Sequence, residues 1–172
     1  MKIRPAEIGE LEQVIHFYRY VIAHSPNMEI YARWIYGLHP NDALLSRFVS
    51  SGSLYILEEN AEILASVAIT PQEEDYHETE WALQAADDKV FCLHIFCVSP
   101  DRTGQGLARA VMQDIFSLAR SRGIPAIRLD TLASNLPAQK MYASFGFQLK
   151  DRKHWYASNI GWDDFLLYEY VL

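Results

Sequence analysis

The amino-acid sequence predicts a single α/β (α+β) domain, built around a mixed β-sheet, over residues 1–172. The first observation is an apolar run, Val90–Val98, which only His94 interrupts and which is typical of a central strand. A glycine-containing turn, a helical pattern and a second strand pattern follow. This order predicts two parallel strands joined by a right-handed crossover helix. Alternating segments on either side of this unit predict further strands, so we expect the sheet to be mixed.

Composition and charge favour a soluble intracellular protein. Half of the 172 residues are hydrophobic, which is enough for a core without disulfides or metals. The net charge of −7 argues against a nucleic-acid-binding protein, because such proteins usually present a basic face. Two cysteines, Cys92 and Cys97, are too few for a disulfide framework and favour a cytoplasmic location. The opening segment is charged and alternating and no apolar stretch has membrane-spanning length, so we expect neither a secretory signal nor a membrane partner.

The first half of the chain predicts two helical regions and a hairpin. Apolar residues at helical spacing begin at Leu11, and the Ser-Pro-Asn segment at residues 25–27 stops the pattern. Alternating residues on both sides of a polar turn near Asn60 predict the hairpin. The expected elements are a strand over residues 1–7, a helix over 11–22, a helical region over about 30–48 that is broken or bent near residues 37–40, the hairpin over 53–69 and a short helix at 81–83.

The second half carries the crossover unit and the last strands. After the glycine turn a helical face begins at Leu107, and Gly123 followed by Pro125 ends this helix. Residues 127–130 alternate and predict the next strand. A second helix has Pro137 in its first turn and Gly146 at its end. The aromatic-rich residues 154–172 are expected to supply the last two strands.

The glycine turn between the strand and the helix suits an anion. A helix N-terminus leaves about four amides without partners and carries roughly half a positive charge. Gly104 and Gly106 leave space for a phosphate or pyrophosphate, to which Arg102 and Arg109 could add contacts. A simple tight turn is the alternative. The dinucleotide-binding pattern needs a small residue at position 109 and the P-loop needs a Gly-Lys-Ser/Thr ending, and the sequence has neither.

Three segments together resemble the GNAT superfamily of acyl-CoA-dependent N-acetyltransferases. They are the strand IFCVSP at residues 95–100, the loop TGQGLA at 103–108 and the segment NLPAQKMYASFGF at 135–147. The resemblance implies a GNAT-like domain, with helices on both faces of the sheet and a parallel strand pair that splays apart. It also implies an enzyme whose co-substrate is acetyl-CoA and which uses no metal.

The resemblance assigns the acetyl-CoA site to the strand, the loop and the second helix. The backbone of Phe96 and Val98 is expected to pair with the pantetheine arm, and one amide there polarises the thioester carbonyl, an effect on the order of 3 kcal/mol. Asn135 and Ala138 are expected to line the same cleft; Asn135 is alternatively a simple helix cap. The family usually has Arg or Gln at the first loop position, where this chain has Thr103. The backbone expected to hold the pyrophosphate belongs to Thr103, Gly104, Gln105, Gly106, Leu107 and Ala108.

Two side chains are candidates for proton transfer when a neutral amine attacks acetyl-CoA directly. The resemblance implies that Tyr142 is the general acid for the departing thiolate; the alternative is a core aromatic on a helix face. His94 is the candidate base, because an imidazole accepts a proton near pH 7 and many family members carry a catalytic glutamate on this strand. A structural histidine beside the cleft is the alternative. Cys92 and Cys97 are expected to be buried strand residues rather than nucleophiles.

The sequence does not determine the acceptor amine, but its charges bear on it. Ten carboxylate residues and no Lys or Arg lie between positions 58 and 88. If this region borders the acceptor, it favours a cationic amine of a small molecule or peptide; a solvated loop is the alternative. Trp155 and Tyr156 either shape the acceptor pocket or fill the last strands. A non-catalytic acyl-CoA sensor and a partner-binding domain are the alternative functions, and pairing of C-terminal edge strands would give a homodimer.

Overall fold

A computed structural model describes residues 2–172, which contain seven β-strands and four α-helices. The strands are β1 (Arg4–Pro5), β2 (Leu54–Glu59), β3 (Glu62–Thr70), β4 (Val90–Val98), β5 (Ala126–Leu132), β6 (Gln148–Ala157) and β7 (Gly161–Val171). The helices are α1 (Leu11–His24), α2 (Asp42–Ser50), α3 (Leu107–Ser121) and α4 (Leu136–Ser144). Across the described residues, no helix has both the length and the apolar character needed to cross a membrane.

The strands form one mixed sheet in the order β1-β2-β3-β4-β5-β7-β6. β4 and β5 run parallel, with residues 90–93 paired to residues 126–129, and α3 connects them. The pairs β1–β2, β2–β3, β5–β7 and β6–β7 are antiparallel. The predicted mixed α/β fold and its crossover unit are therefore confirmed. β6 lies at one edge of the sheet, and a homodimer formed through this C-terminal edge stays a prediction.

The residues group into two compact units, each made from separate stretches of the chain. The first unit contains the residues up to Pro26, Trp34–Ile69 and Ile95–Leu118. The second unit contains Asn27–Arg33, Thr70–His94 and Ala119–Leu172. β4 therefore contributes its first five residues to the second unit and the rest to the first. The single domain over residues 1–172 stays a prediction.

The first unit packs two helices and a hairpin around an apolar core. Tyr18 of α1, Leu45 of α2 and Ile56 of β2 are fully buried there. Asn60 and Ala61 connect β2 to β3 and both have positive φ, 52° and 62°. Two consecutive residues of this kind are typical of the type I′ turn, whose twist matches that of the strands it joins. The predicted hairpin is thereby confirmed.

Two predictions of helices are wrong: the one over residues 30–48 in part, and the one at residues 81–83 completely. The region expected over residues 30–48 is an α-helix only within α2. Before α2, Arg33 (φ 54°) and Gly37 (φ 95°) are left-handed, which an α-helix excludes. The helix expected at residues 81–83 does not form, because the amide of Ala82 and the carbonyl of Leu83 bond to side chains of β7 and β5 instead.

Most other element positions agree with the predictions, with shifted ends. α1, β4, α3, β5 and α4 lie where the patterns place them. The strand expected over residues 1–7 is reduced to β1, and Met1 lies outside the described residues. The last two strands begin at Gln148, earlier than the expected residue 154, because the chain turns directly from α4 into β6. Strand ends of this kind depend on pairing with a neighbour, which local patterns do not contain.

Candidate functional site

β4 contains a backbone irregularity at Ile95, immediately before two predicted site residues. Ile95 has φ 45°, in the left-handed region that β-branched residues rarely adopt. Such a conformation costs on the order of 1–3 kcal/mol and persists only where the surrounding structure holds it. Residues 90–93 of the strand are buried, whereas Phe96 and Val98 are half-buried. The two residues predicted to pair with pantetheine therefore follow directly on this irregularity.

The hydroxyl group of Tyr18 supports the conformation of Ile95. Tyr18 is fully buried, and its oxygen lies 3.0 Å from the carbonyl oxygen of Ile95 and 3.0 Å from Oγ of Ser66. A carbonyl oxygen only accepts, so the proton of Tyr18 goes to Ile95 and Ser66 completes the contact. Burial raises the pKa of Tyr18 well above its ordinary value, so the hydroxyl stays protonated and remains a donor.

The glycine loop before α3 is exposed and open. Gly104 has φ 80° and Gly106 has φ 77°, and a Cβ added to either residue would meet no atom within 4 Å. Residues 103–106 are exposed, and α3 begins directly after them at Leu107, which is buried. The backbone between β4 and α3 thus borders open space at the end of a helix where unpaired amides concentrate.

Two side chains of the loop bind protein groups within the first unit. The hydroxyl of Thr103 donates to the carbonyl oxygen of Pro100 at 2.8 Å. The guanidinium of Arg102 pairs with Glu62 at the start of β3, with an N–O distance of 3.6 Å. Thr103 therefore stabilises the turn itself, at the position where the family usually has Arg or Gln.

In the second unit, His94 is half-buried and bonded to the end of β3. Its Nε2 atom lies 2.9 Å from Oγ1 of Thr70, and the Thr70 hydroxyl also donates to the carbonyl oxygen of Pro71 at 2.9 Å. Thr70 is itself 7% exposed. Sequence reasoning missed Thr70, because no local pattern connects residues that are 24 positions apart.

α4 carries the other predicted residues of the second unit within two turns. The side chain of Asn135 caps the helix, accepting a hydrogen bond from the amide of Ala138 at 3.3 Å. Tyr142 is buried, with its ring centre 5.7 Å from that of Phe147 and 6.4 Å from that of Tyr168. The structure thus shows capping and core packing for these residues. Their roles toward acetyl-CoA stay predictions.

A buried ion pair anchors residues 71–89, the acidic segment between β3 and β4. Arg128 of β5 and Glu169 of β7 are each 1% exposed, and Nη2 of the arginine lies 2.9 Å from Oε1 of the glutamate. Arg128 also donates to the side-chain oxygen of Gln72 and, at 2.5 Å, to the carbonyl oxygen of Leu83. Glu169 accepts from the amide of Ala82 at 2.8 Å. One pair therefore holds the acidic segment near its start, at Gln72, and in its middle, at Ala82 and Leu83.

Aromatic side chains hold the same segment. The ring of Tyr76 stacks on Trp155, with centres 6.2 Å apart, and the guanidinium of Arg128 lies 4.3 Å from the ring centre of Trp81. The hydroxyl of Tyr76 donates to Asp130 at 2.6 Å, and burial raises the pKa of Tyr76 well above its ordinary value. Trp155 thus packs against the acidic segment.

The carboxylates of the acidic segment are exposed. They are Glu73, Glu74, Asp75, Glu78, Glu80, Asp87 and Asp88. Sequence reasoning noted these charges but missed Arg128 and Glu169, which hold the segment in place. The available signal for Arg128 was its place in the second strand of the parallel pair, because parallel sheets are usually covered on both faces and a buried charge requires a partner.

Both cysteines are packed residues of β4. Cys92 is buried and Cys97 is half-buried. Burial raises the pKa of each thiol, so neither thiolate is populated at neutral pH. This agrees with the interpretation of both cysteines as strand residues rather than nucleophiles.

A cavity of about 520 Å³ in the first unit lies next to the segment that follows β4. Its walls come from α1, from residues 61–63 at the start of β3, and from Ser99 and Asp101 after β4. They carry three carboxylates, Glu12, Glu62 and Asp101. None of the loop residues 103–108 lines it. An acidic wall repels an anion, so we do not assign a pyrophosphate to this cavity.

Comparison with known sequences places these features in one family. The model of the acetyltransferase (GNAT) family matches residues 12–147. The [ribosomal protein bS18]-alanine N-acetyltransferase of Escherichia coli (strain K12) is 32% identical over 71 residues, which are 41% of this chain and 48% of that protein. The chain thus spans about half the length of the curated relatives it matches.

Solved structures show the same fold over nearly the whole chain. A GNAT-family acetyltransferase from Streptococcus agalactiae matches with a TM-score of 0.75 and 21% identity, covering 99% of this chain and 95% of that one. The protein yncA from Salmonella typhimurium, solved with its cofactor acetyl-CoA, matches with a TM-score of 0.72 and 16% identity, covering 100% of this chain and 94% of that one. Identities this low show a shared fold alone.

Proposed function

This chain belongs to the acetyltransferase (GNAT) family, and we propose that it transfers the acetyl group of acetyl-CoA to a primary amine of a small molecule or peptide. The observation that carries the proposal is the open glycine loop at the start of α3. Its two glycines are left-handed, and a Cβ added to either would meet no atom within 4 Å. A helix N-terminus with accessible amides is a favourable site for a pyrophosphate, which acetyl-CoA contains.

The residues of the first unit fit acetyl-CoA as a substrate. The backbone of residues 103–108 would hold the pyrophosphate. Phe96 and Val98 would offer their backbone groups to the pantetheine arm, and their partial exposure supports this assignment. The left-handed residue Ile95 interrupts regular strand geometry just before them, which favours backbone groups that serve a ligand rather than a neighbouring strand.

The proposed mechanism assigns one proton transfer to each of two residues. Acetyl-CoA supplies a thioester, whose carbonyl carbon forms the new bond to the amine nitrogen while its bond to sulfur breaks. His94 takes the proton that the attacking amine loses. The hydroxyl of Tyr142 gives a proton to the departing sulfur. A backbone amide at Phe96 or Val98 stabilises the charge on the carbonyl oxygen, an effect on the order of 3 kcal/mol.

The amine of a peptide is the first acceptor to test. The curated relative from Escherichia coli acetylates an alanine of a ribosomal protein, as its name states. The exposed carboxylates of the acidic segment would also favour an acceptor with positive charge. A basic peptide that begins with alanine combines both properties, and a polyamine represents the small-molecule class.

Thermal unfolding with and without acetyl-CoA tests the donor site. Saturation at about a hundredfold the dissociation constant adds roughly 2.7 kcal/mol. For a chain of this size we expect a rise in Tm of about 5–10 °C. The matched control is Gly106→Val, because a β-branched residue at φ 77° distorts the loop without meeting a neighbouring atom. This variant should fold but lose the rise in Tm.

Acetyl transfer is then measured as thiol release and confirmed by mass spectrometry of the acceptor. The alanine peptide should gain one acetyl group, and the same peptide with a blocked N-terminus should not. Absence of a Tm shift, in protein shown to be free of bound coenzyme A, would contradict the donor site. A Tm shift without transfer to any amine would instead favour an acyl-CoA sensor.

A further inference from the structure

The hydroxyl group of Thr70 takes part in two hydrogen bonds, one of which is to Nε2 of His94. Its hydroxyl group has a single proton, which it donates to the carbonyl oxygen of Pro71 at 2.9 Å. The same oxygen lies 2.9 Å from Nε2 of His94. The carbonyl oxygen of Pro71 can only accept, so the hydroxyl proton of Thr70 is used in the bond to Pro71. The proton in the bond between Thr70 and His94 therefore comes from Nε2 of the histidine.

We infer that Thr70 is a positioning residue, which holds His94 in the tautomer protonated at Nε2 and so makes Nδ1 the basic nitrogen. The inference rests on the proposed function, in which His94 accepts the proton of the amine. The two nitrogens of a neutral imidazole are distinct, and the hydrogen bond made by one determines which nitrogen is the base. Thr70 also restricts rotation of the ring, because β3 holds it in place and it is 7% exposed.

Other titratable groups of the second unit lie around the face of β4 that carries His94. Side chains alternate along a strand, so Cys92 and His94 share a face of β4. Cys92 packs in a cluster with Tyr76, whose hydroxyl bonds to Asp130. The titratable and charged groups around this face are Glu73, Tyr76, Cys92, Arg128, Asp130 and Glu169. The hydroxyl of Thr70 bonds to Pro71 and His94 and to none of these groups, so we attribute an effect of its removal on His94 to the lost hydroxyl.

Nitrogen-15 NMR of the histidine side chains tests the tautomer on the protein alone. His94→Gln identifies the His94 signals among those of the six histidines. In the wild-type protein, at a pH where the ring is neutral, we expect the Nε2–H pattern. Thr70→Val should lose this preference and Thr70→Ser should keep it. An Nδ1–H pattern in the wild type, or an unchanged pattern in Thr70→Val, would overturn the inference.

Kinetics test the consequence for the reaction. Thr70→Val should lower kcat on the order of tenfold, a part of the 10²–10⁴-fold that a general base contributes, with little change in the KM for acetyl-CoA. It should also move the acidic limb of the kcat–pH profile, and Thr70→Ser should restore both. Thr79→Val is the matched control: it removes another buried threonine hydroxyl of the same unit, which bonds to Asp151 at 3.2 Å. It should change neither the NMR pattern nor the pH profile.

The experiments distinguish a failure of the proposed base, His94, from a failure of the positioning role of Thr70. Full activity of His94→Gln would overturn the base itself and, with it, the catalytic role of Thr70. An inactive His94→Gln together with a fully active Thr70→Val, whose NMR pattern matches the wild type, would overturn only the positioning role. Melting curves of each variant show whether it folds, and Thr70→Ser keeps the test valid if Thr70→Val does not.

Discussion

The hydroxyl of Tyr18 on α1 donates a hydrogen bond to the carbonyl oxygen of Ile95, 77 positions away, at 3.0 Å. Ile95 is left-handed, with φ 45°, and Phe96 and Val98 follow it on β4. A buried hydroxyl therefore holds the backbone from which the proposed pantetheine contacts extend. This relationship links the packing of α1 to the affinity for acetyl-CoA.

Removal of the Tyr18 hydroxyl tests whether the packing of α1 affects the binding of acetyl-CoA. Tyr18→Phe keeps the ring but leaves the carbonyl of Ile95 and the hydroxyl of Ser66 without their shared partner. We expect a loss of about 1–3 kcal/mol in the free energy of unfolding, measured by urea titration, and weaker binding of acetyl-CoA. Tyr20→Phe is the control, because its hydroxyl bonds to Asp101 at the surface, at 2.7 Å. Equal behaviour of the two variants would contradict a supporting role for Tyr18.

Tyr142→Phe tests the proposed general acid. The variant keeps the ring contacts with Phe147 and Tyr168 and loses only the hydroxyl. We expect kcat to fall by roughly 10²–10⁴-fold, while the dissociation constant for acetyl-CoA changes little. Stopped-flow or calorimetric binding, measured beside turnover, separates the two effects. A turnover number equal to that of the wild type would remove Tyr142 from the mechanism.

His94→Gln tests the proposed base through the pH dependence of the rate. A general base must be deprotonated to act, so the rate of the wild-type enzyme should fall as the pH falls and the base is protonated. Glutamine keeps a polar group of similar reach but does not titrate. We therefore expect a lower kcat and loss of the acidic limb in kcat measured against pH. An acidic limb that persists in the variant would show that another group is the base.

Removal of one partner from the buried Arg128–Glu169 pair should be strongly destabilising, because the other charge stays buried without its counter-charge. Arg128→Met leaves the carboxylate of Glu169 buried without its counter-charge, which we expect to cost about 3–5 kcal/mol in the free energy of unfolding. The double variant Arg128→Met, Glu169→Leu removes both charges and should recover part of this loss. Limited proteolysis should also cut residues 71–89 faster in the single variant. If the single and double variants are equally stable, the charge pairing is not the cause.

The ion pair between Arg4 and Glu10 makes stability depend on pH in acid. The hydrogen bond from Arg4, at 2.6 Å, is the main reason that the pKa of Glu10 is lowered to about 2, below the ordinary 4.5. Because the folded value is the lower one, the contribution is fully present above pH 4.5 and is lost as the pH falls through about 2. We expect Glu10→Gln to lower the free energy of unfolding by about 1 kcal/mol at pH 7, since the pair is partly exposed.

Urea titrations at several pH values check this prediction. The difference between Glu10→Gln and the wild type should shrink between pH 4.5 and 2, the range over which the carboxyl is protonated. Arg4→Met should show the same pH dependence, with an added loss from its second partner, Glu58, at 2.5 Å. A difference that stays constant down to pH 2 would exclude the ion pair as its source.

Most of the elements and the position of the glycine loop were predictable from local patterns in the sequence. Apolar periodicity places α1, β4 and α3, and it does so because burial of one face is a local property of the pattern. Gly104 and Gly106 were identifiable for a similar reason. A left-handed backbone excludes most other residues, so a pair of glycines at a strand–helix junction indicates a special turn.

The contacts between side chains, in contrast, depend on the tertiary fold. The bonds from Tyr18 to Ile95, from Thr70 to His94 and from Arg128 to Glu169 join residues 77, 24 and 41 positions apart. The failed helix at residues 81–83 has the same origin, since the amide of Ala82 and the carbonyl of Leu83 bond to side chains of β7 and β5. A buried polar group must find a partner, and the fold brings that partner from any point in the chain, so no local pattern in the sequence contains it.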